Sequence, residues 1–219
     1  MFKATNIAMI STLPFDEHVT EYDEWYEKYP FVFQSEVEAI RAFLPGGKDI
    51  KGIEVALGTG RFSKALGIKE GIEPSANMRA LAEKRGIDVL AGVAEHLPYE
   101  DNQYDFVLMA FCISYFENLS AAFLEARRVL KNGGALIVGF IDKDSIIAQS
   151  YEKRKPCSVF YKEATCYRTK SIIAELRKLN LIDLQFSQTL FHPLEEIRVL
   201  EPAKPGYGEG SFVLIRACK

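Results

Sequence analysis

The chain has 219 residues, 48% of them apolar and 26% charged, which is the composition of a folded globular protein with a single core. Its 27 basic and 30 acidic residues leave a net charge of −3, so the overall balance favours neither a nucleic-acid partner nor an anionic membrane surface. The four cysteines, at 112, 157, 166 and 218, form no CxxC pair, and no apolar run is long enough to span a bilayer. No metal site is expected, and the protein is expected to be cytoplasmic with reduced thiols.

Residues 15–45 read as helical, with Tyr22, Trp25, Tyr26, Tyr29, Phe31 and Phe33 on a charged background and His18 one turn before Tyr22. Residues 1–45 are expected to form a cap on the rest of the chain. From about residue 50 strands and helices alternate, with strands at 52–57, 69–73, 88–91, 105–111 and 135–141. That alternation predicts a parallel sheet covered on both faces. The clearest helix starts at Asn118, a good N-cap. It places Leu119, Ala122, Phe123, Ala126, Val129 and Leu130 on one face and stops at Lys131-Asn132-Gly133-Gly134.

The segment 142–168 is longer than a sheet connection needs and holds Tyr151, Phe160, Tyr161 and Tyr167, so it is expected to wall a substrate pocket. A second amphipathic helix starts at Thr169 and carries Ile172, Ile173, Leu176 and Leu179 on one face. Segments 181–190 and 211–217 then read as an antiparallel pair closing the sheet.

The run Ile53-Glu54-Val55-Ala56-Leu57-Gly58-Thr59-Gly60-Arg61-Phe62 takes an apolar strand into a glycine turn that opens a helix, the usual form of a nucleotide-type site. Nineteen residues after Glu54, Gly71-Ile72-Glu73-Pro74-Ser75 ends a second strand on an acid, where a ribose hydroxyl pair would be held. A dinucleotide fingerprint would have a third glycine where Ser63 stands, and a phosphate-binding Walker loop would have a glycine-lysine-serine or glycine-lysine-threonine element that is missing.

The runs IEVALGTGRF, GIEPSANM, GVAEHLPYEDNQYDFVLM and EARRVLKNGGALIVGF, spanning about residues 50–141, resemble the class I S-adenosylmethionine-dependent methyltransferases, in their small-molecule, type 11-like branch. The resemblance implies a Rossmann-like α/β/α sandwich in one domain: a cap at 1–45, a cofactor-binding core at 46–141 and a substrate-side segment with closing strands at 142–219. It implies a seven-stranded, mostly parallel sheet with an antiparallel last strand. It also implies that S-adenosyl-L-methionine is the cofactor and S-adenosyl-L-homocysteine the product.

By the same resemblance Glu54 holds the glycine loop and the cofactor's amino group, and Ala56, Gly58, Thr59, Gly60 and Phe62 form the loop around its methionine part. Glu73 takes the ribose, followed by Pro74, Ser75 and Met78, with Met78 against adenine. Ala94, Glu95 and His96 border the adenine ring, and Met109, Ala110 and Phe111 lie beside the methyl group. Ala56 stands where the family usually has glycine.

Methyl transfer from a sulfonium needs alignment above all. A base serves only if the acceptor must lose a proton, and His18, Tyr22, Tyr26, Ser114 and Tyr115 are its candidates. The expected activity is methylation of a small molecule. The competing readings are a cofactor-binding module without catalysis and, less favoured, a nicotinamide-dependent oxidoreductase.

Overall fold

The structure is a computed structural model and describes residues 12–219. Five strands run parallel through its middle: β1 (Gly52–Val55), β2 (Glu70–Ile72), β3 (Asp88–Leu90), β4 (Tyr104–Ala110) and β5 (Leu130–Ile141). Three more, β6 (Ile182–Thr189), β7 (Lys204–Pro205) and β8 (Phe212–Cys218), extend the sheet past β5. The order is β3-β2-β1-β4-β5-β8-β6-β7, and β8 runs antiparallel to both of its neighbours. The antiparallel last strand is as expected. The eighth strand is β7, a two-residue addition bonded to the edge of β6.

β4 lies at the centre of this sheet and is apolar almost throughout, because helices cover both of its faces. Val107 and Met109 pack with Phe123 and Ala126 of α6 (Leu119–Val129) and with Ile172 and Leu176 of α8 (Thr169–Lys178). Phe106, Leu108 and Ala110 face the other way, toward α3 (Pro30–Arg41), α4 (Arg61–Leu66) and α7 (Ile146–Arg154). α5 (Ala76–Lys84) follows β2 and is capped by the Ser75 hydroxyl, which accepts the Met78 N–H at 3.2 Å.

Two boundaries differ from the sequence reading. The 15–45 segment is broken into α1 (Leu13–Glu17), α2 (Val19–Lys28) and α3; α1 and α2 meet at His18, and α2 and α3 are separate because Pro30 brings no N–H and constrains Tyr29, so the chain restarts a helix there. Residues 1–11 of the expected cap lie outside the described residues. The Lys131–Gly134 stretch is an excursion within β5 rather than a gap before it. Tyr104 pairs with Leu130 and Phe106 with Ala135, so β5 loops out residues that β4 lacks, and Gly133 takes φ +79° to do so. Among the described residues no helix is long and apolar enough to cross a membrane.

Candidate active site

At the carboxyl end of β1 the backbone turns through Ala56 at φ +52° and Gly58 at φ +58° before Gly60, at φ +77°, caps α4. A left-handed alanine costs roughly 1–2 kcal/mol, so Ala56 is strained where glycine would not be. Ala56→Gly is therefore expected to leave the unfolding free energy unchanged or raise it, measured by urea denaturation. At an ordinary site the same exchange costs about 0.5–1 kcal/mol, and a loss of that size at position 56 would contradict the strain.

The carboxyl of Glu73 closes the turn from the other side. Its Oε2 accepts the Gly58 N–H and its Oε1 the Ser75 N–H, each at 2.9 Å. Glu73 is 5% exposed, and burial pushes its carboxyl up to about 7 against the opposing pull of those two N–H groups. A carboxyl already occupies the loop N–H that a phosphate would need, so a pyrophosphate is a poor fit. Each of the two oxygens keeps a second lone pair, which suits two vicinal hydroxyl donors.

Glu54 sits deeper. Its Oε2 accepts the Ser63 hydroxyl of α4, and burial pushes its carboxyl up to about 8 despite that bond. It therefore anchors the start of α4.

α2 is fastened to this loop by charge. Asp23 of α2 accepts from the Thr59 hydroxyl at 2.6 Å, from Arg61 at 2.6 and 3.0 Å and from Arg85 at 2.7 Å, while Arg61 also reaches Glu27 at 2.5 Å. Burial alone would raise the Asp23 carboxyl, yet the bonds from Arg61, Arg85 and Thr59 hold it well below the usual carboxylate range. Farther along, Asp16 of α1 accepts from Ser75 at 2.6 Å, and its carbonyl accepts from Asn77 at 2.8 Å. α2 thereby carries Tyr22 over the turn: a Cβ on Gly58 would lie 3.3 Å from the Tyr22 hydroxyl.

These elements enclose a cavity of about 230 Å³. Of the expected cofactor residues, Ala56, Gly58, Glu73, Pro74, Met78, Ala94, Ala110 and Phe111 line it. Glu54, Thr59, Gly60, Phe62, Ser75, Glu95, His96 and Met109 do not, and each has another placement. Thr59 turns back to Asp23, Phe62 packs among Tyr26 and Phe33, Ser75 caps α5, and Met109 belongs to the sheet core. Glu95 accepts the Asn118 N–H at 3.2 Å, and His96 forms a bridge with Val93.

Of the candidate bases, Tyr22, Tyr26, Ser114 and Tyr115 reach the cavity. His18 does not, and its Nδ1 lies 3.2 Å from Glu21. Burial raises the Tyr22, Tyr26 and Tyr115 phenols, so all three are protonated near neutral pH. The Tyr22 and Tyr26 hydroxyls bond each other at 3.0 Å. Phe111 holds φ +62°, a costly conformation for a bulky residue, between Phe62 at 5.6 Å and Phe212 at 4.8 Å in a three-ring stack.

Tyr151, Phe160 and Tyr161 line the cavity, as expected for the 142–168 segment. Tyr167 packs against the other face of the sheet. The sequence reading missed Asp23 and Glu36. Glu36 interrupts a buried i, i+4 stripe of Val32 and Ile40, and that charged break in an apolar face is the signal that finds it.

Residues 53–138 match the family described as Methyltransferase domain. A solved SAM-dependent methyltransferase of Thermotoga maritima, described as a "possible histamine N-methyltransferase", is 43% identical with a TM-score of 0.91, over 95% of this chain and 99% of that one. An uncharacterised protein of Methanocaldococcus jannaschii is 40% identical over 205 residues, 94% of this chain and 98% of its own length. The demethylmenaquinone methyltransferase of Chlorobaculum tepidum is 32% identical over 120 residues, 51% of this chain and 50% of its own. The glycine turn, the acid after β2, the sheet order and these matches agree, and the chain belongs to the S-adenosylmethionine-dependent methyltransferases.

Proposed function

We propose that the chain transfers the methyl group of S-adenosyl-L-methionine to a small-molecule acceptor and releases S-adenosyl-L-homocysteine. The observation that carries the reading is Glu73, a buried carboxyl on the cavity wall whose two oxygens each hold one backbone N–H and can each accept one more donor. The lining fits such a ligand in charge as well. The Glu73 carboxyl stands on the lining beside the glycine turn, the lining contains no Lys, Arg or His among the described residues, and aromatic faces surround the space. A molecule carrying a sulfonium and an ammonium group is matched by acids and ring faces.

In this reading Glu73 holds the ribose and Met78 and Ala94 flank adenine. Ala56 and Gly58 leave room for the methionine part, and Ala110 and Phe111 border the methyl group. Glu54, Thr59, Gly60, Phe62, Ser75, Glu95, His96 and Met109 hold that wall from behind. Bound there, the cofactor would supply an electrophilic methyl whose C–S bond breaks as the acceptor's lone pair forms the new bond, the electron pair staying on sulfur.

The protein's share is alignment, worth up to roughly 7–11 kcal/mol in well-oriented reactions. Tyr22, Tyr26 and Tyr115 stay protonated, so they serve as hydrogen-bonding and ring surfaces rather than bases. The chain acts as one methyltransferase domain, with 1–45 as cap, 46–141 as cofactor core and 142–219 as the substrate side. Two of its relatives bear the names of enzymes for small molecules.

The test is incubation with methyl-labelled donor and a pool of small metabolites, followed by mass spectrometry of the products. Label in a small molecule, together with S-adenosyl-L-homocysteine, is expected. Donor binding without transfer to any acceptor would replace the proposal with that of a non-catalytic binding module.

A further inference from the structure

Glu36 stands apart from every other carboxyl in the cavity. It lies on α3, is 2% exposed, and its Oε2 is enclosed with no hydrogen-bond partner among the described residues. Burial raises its carboxyl, and among the described residues no cation or donor acts against it. An unpaired buried acid costs stability, and buried polar groups are otherwise almost always satisfied. The groups that face it are the phenols of Tyr26, Tyr151 and Tyr161, with Tyr151 and Tyr161 stacked at 4.4 Å. No basic side chain among the described residues lines the cavity to neutralise it. In the methyltransferase reading the ribose acid is Glu73, which leaves Glu36 without an assigned partner.

We propose that Glu36 is the specificity-determining residue for the methyl acceptor: its carboxylate receives the N–H groups of a protonated amine whose carbon skeleton packs among the tyrosine rings, and takes one proton from that ammonium so that the nitrogen lone pair is free to form the new bond to the methyl carbon. This deepens the methyltransferase reading and rests on it for the word acceptor. An amine brings both the charge and the donors that Glu36 lacks, and ring faces favour a cation. Anionic acceptors are disfavoured by the same acids.

The test is calorimetry of 2-phenylethylamine and tryptamine against their alcohol counterparts, 2-phenylethanol and tryptophol, on the wild-type chain with and without S-adenosyl-L-homocysteine. At least one amine is expected to bind ten-fold or more tightly than its alcohol. Glu36→Gln and Glu36→Ala are each expected to erase that preference while keeping homocysteine-cofactor affinity within about two-fold and a melting temperature no lower than wild type. Equal binding of amine and alcohol, binding of neither amine, or a preference retained in both variants would overturn the proposal. Failure of S-adenosyl-L-homocysteine to bind would instead strike the methyltransferase reading, since the amine preference is also measured without it.

Discussion

Glu73→Ala is expected to weaken binding of S-adenosyl-L-homocysteine by roughly 100-fold or more at pH 8. Two hydrogen bonds to a charged group are worth about 1.5–3 kcal/mol each, and every 1.4 kcal/mol is a factor of ten. The loss includes the loop itself, because the Gly58 and Ser75 N–H groups lose their acceptor. Ribose hydroxyls bind the ionised carboxylate, and the Glu73 carboxyl is pushed up to about 7. Wild-type affinity should therefore fall as pH drops from 8 to 6, and Glu73→Gln should flatten that slope. Calorimetry across this range checks both, and a Glu73→Ala protein that binds within three-fold of wild type would contradict the assignment.

Stability should run the opposite way in the unliganded protein. A carboxyl raised on folding stabilises the native state below its unfolded value, here 4.5, and that contribution is lost as pH rises through the folded value. With Glu73 at about 7 and Glu54 at about 8, the melting temperature should decline between pH 5 and pH 8. The cofactor product should restore more of it at pH 8 than at pH 6.

Asp23→Ala is expected to destabilise the fold by about 2–4 kcal/mol, the range for removing one member of a largely buried ionic cluster. The Asp23, Arg61 and Arg85 side chains are 15%, 19% and 16% exposed, so water would replace the lost carboxylate poorly. For a chain of this length such a loss lowers the melting temperature by roughly 4–16 °C. The stabilisation is present above the ordinary carboxylate value of 3.8 and is lost as pH falls below it, because the folded Asp23 is depressed. The same substitution should weaken cofactor binding without touching the cavity, since α2 holds Tyr22 over Gly58. A urea denaturation midpoint that moves by less than the equivalent of 1 kcal/mol would show the cluster to be incidental.

The stretch from β1 to β5 is readable because its signals are local. Alternating apolar runs, the glycine turn and the acid at 73 need only neighbours in the chain to be understood. The Lys131–Gly134 excursion misleads because a basic, glycine-rich run after a helix looks like a helix stop. Only the pairing of β5 with both β4 and β8 makes it part of a strand.

Side-chain placement is harder, because it depends on contacts between distant segments. Met109 and Ala110 are adjacent in β4, and the strand's two-residue period sends one into the core and the other to the cavity. Asp23 looks like one of many charges on a surface helix until folding brings Thr59, Arg61 and Arg85 around it. Glu36 carries a legible sign in its apolar stripe, but its lack of a partner among the described residues emerges only once the walls around it are built.

The central claim is that the cavity beneath the cap holds the cofactor of methyl transfer. Calorimetric titration of S-adenosyl-L-homocysteine into the wild-type chain at pH 8 tests it most directly. One site per chain, with an affinity that collapses in Glu73→Ala, is the result this structure predicts; a folded protein that takes up no S-adenosyl-L-homocysteine would contradict it.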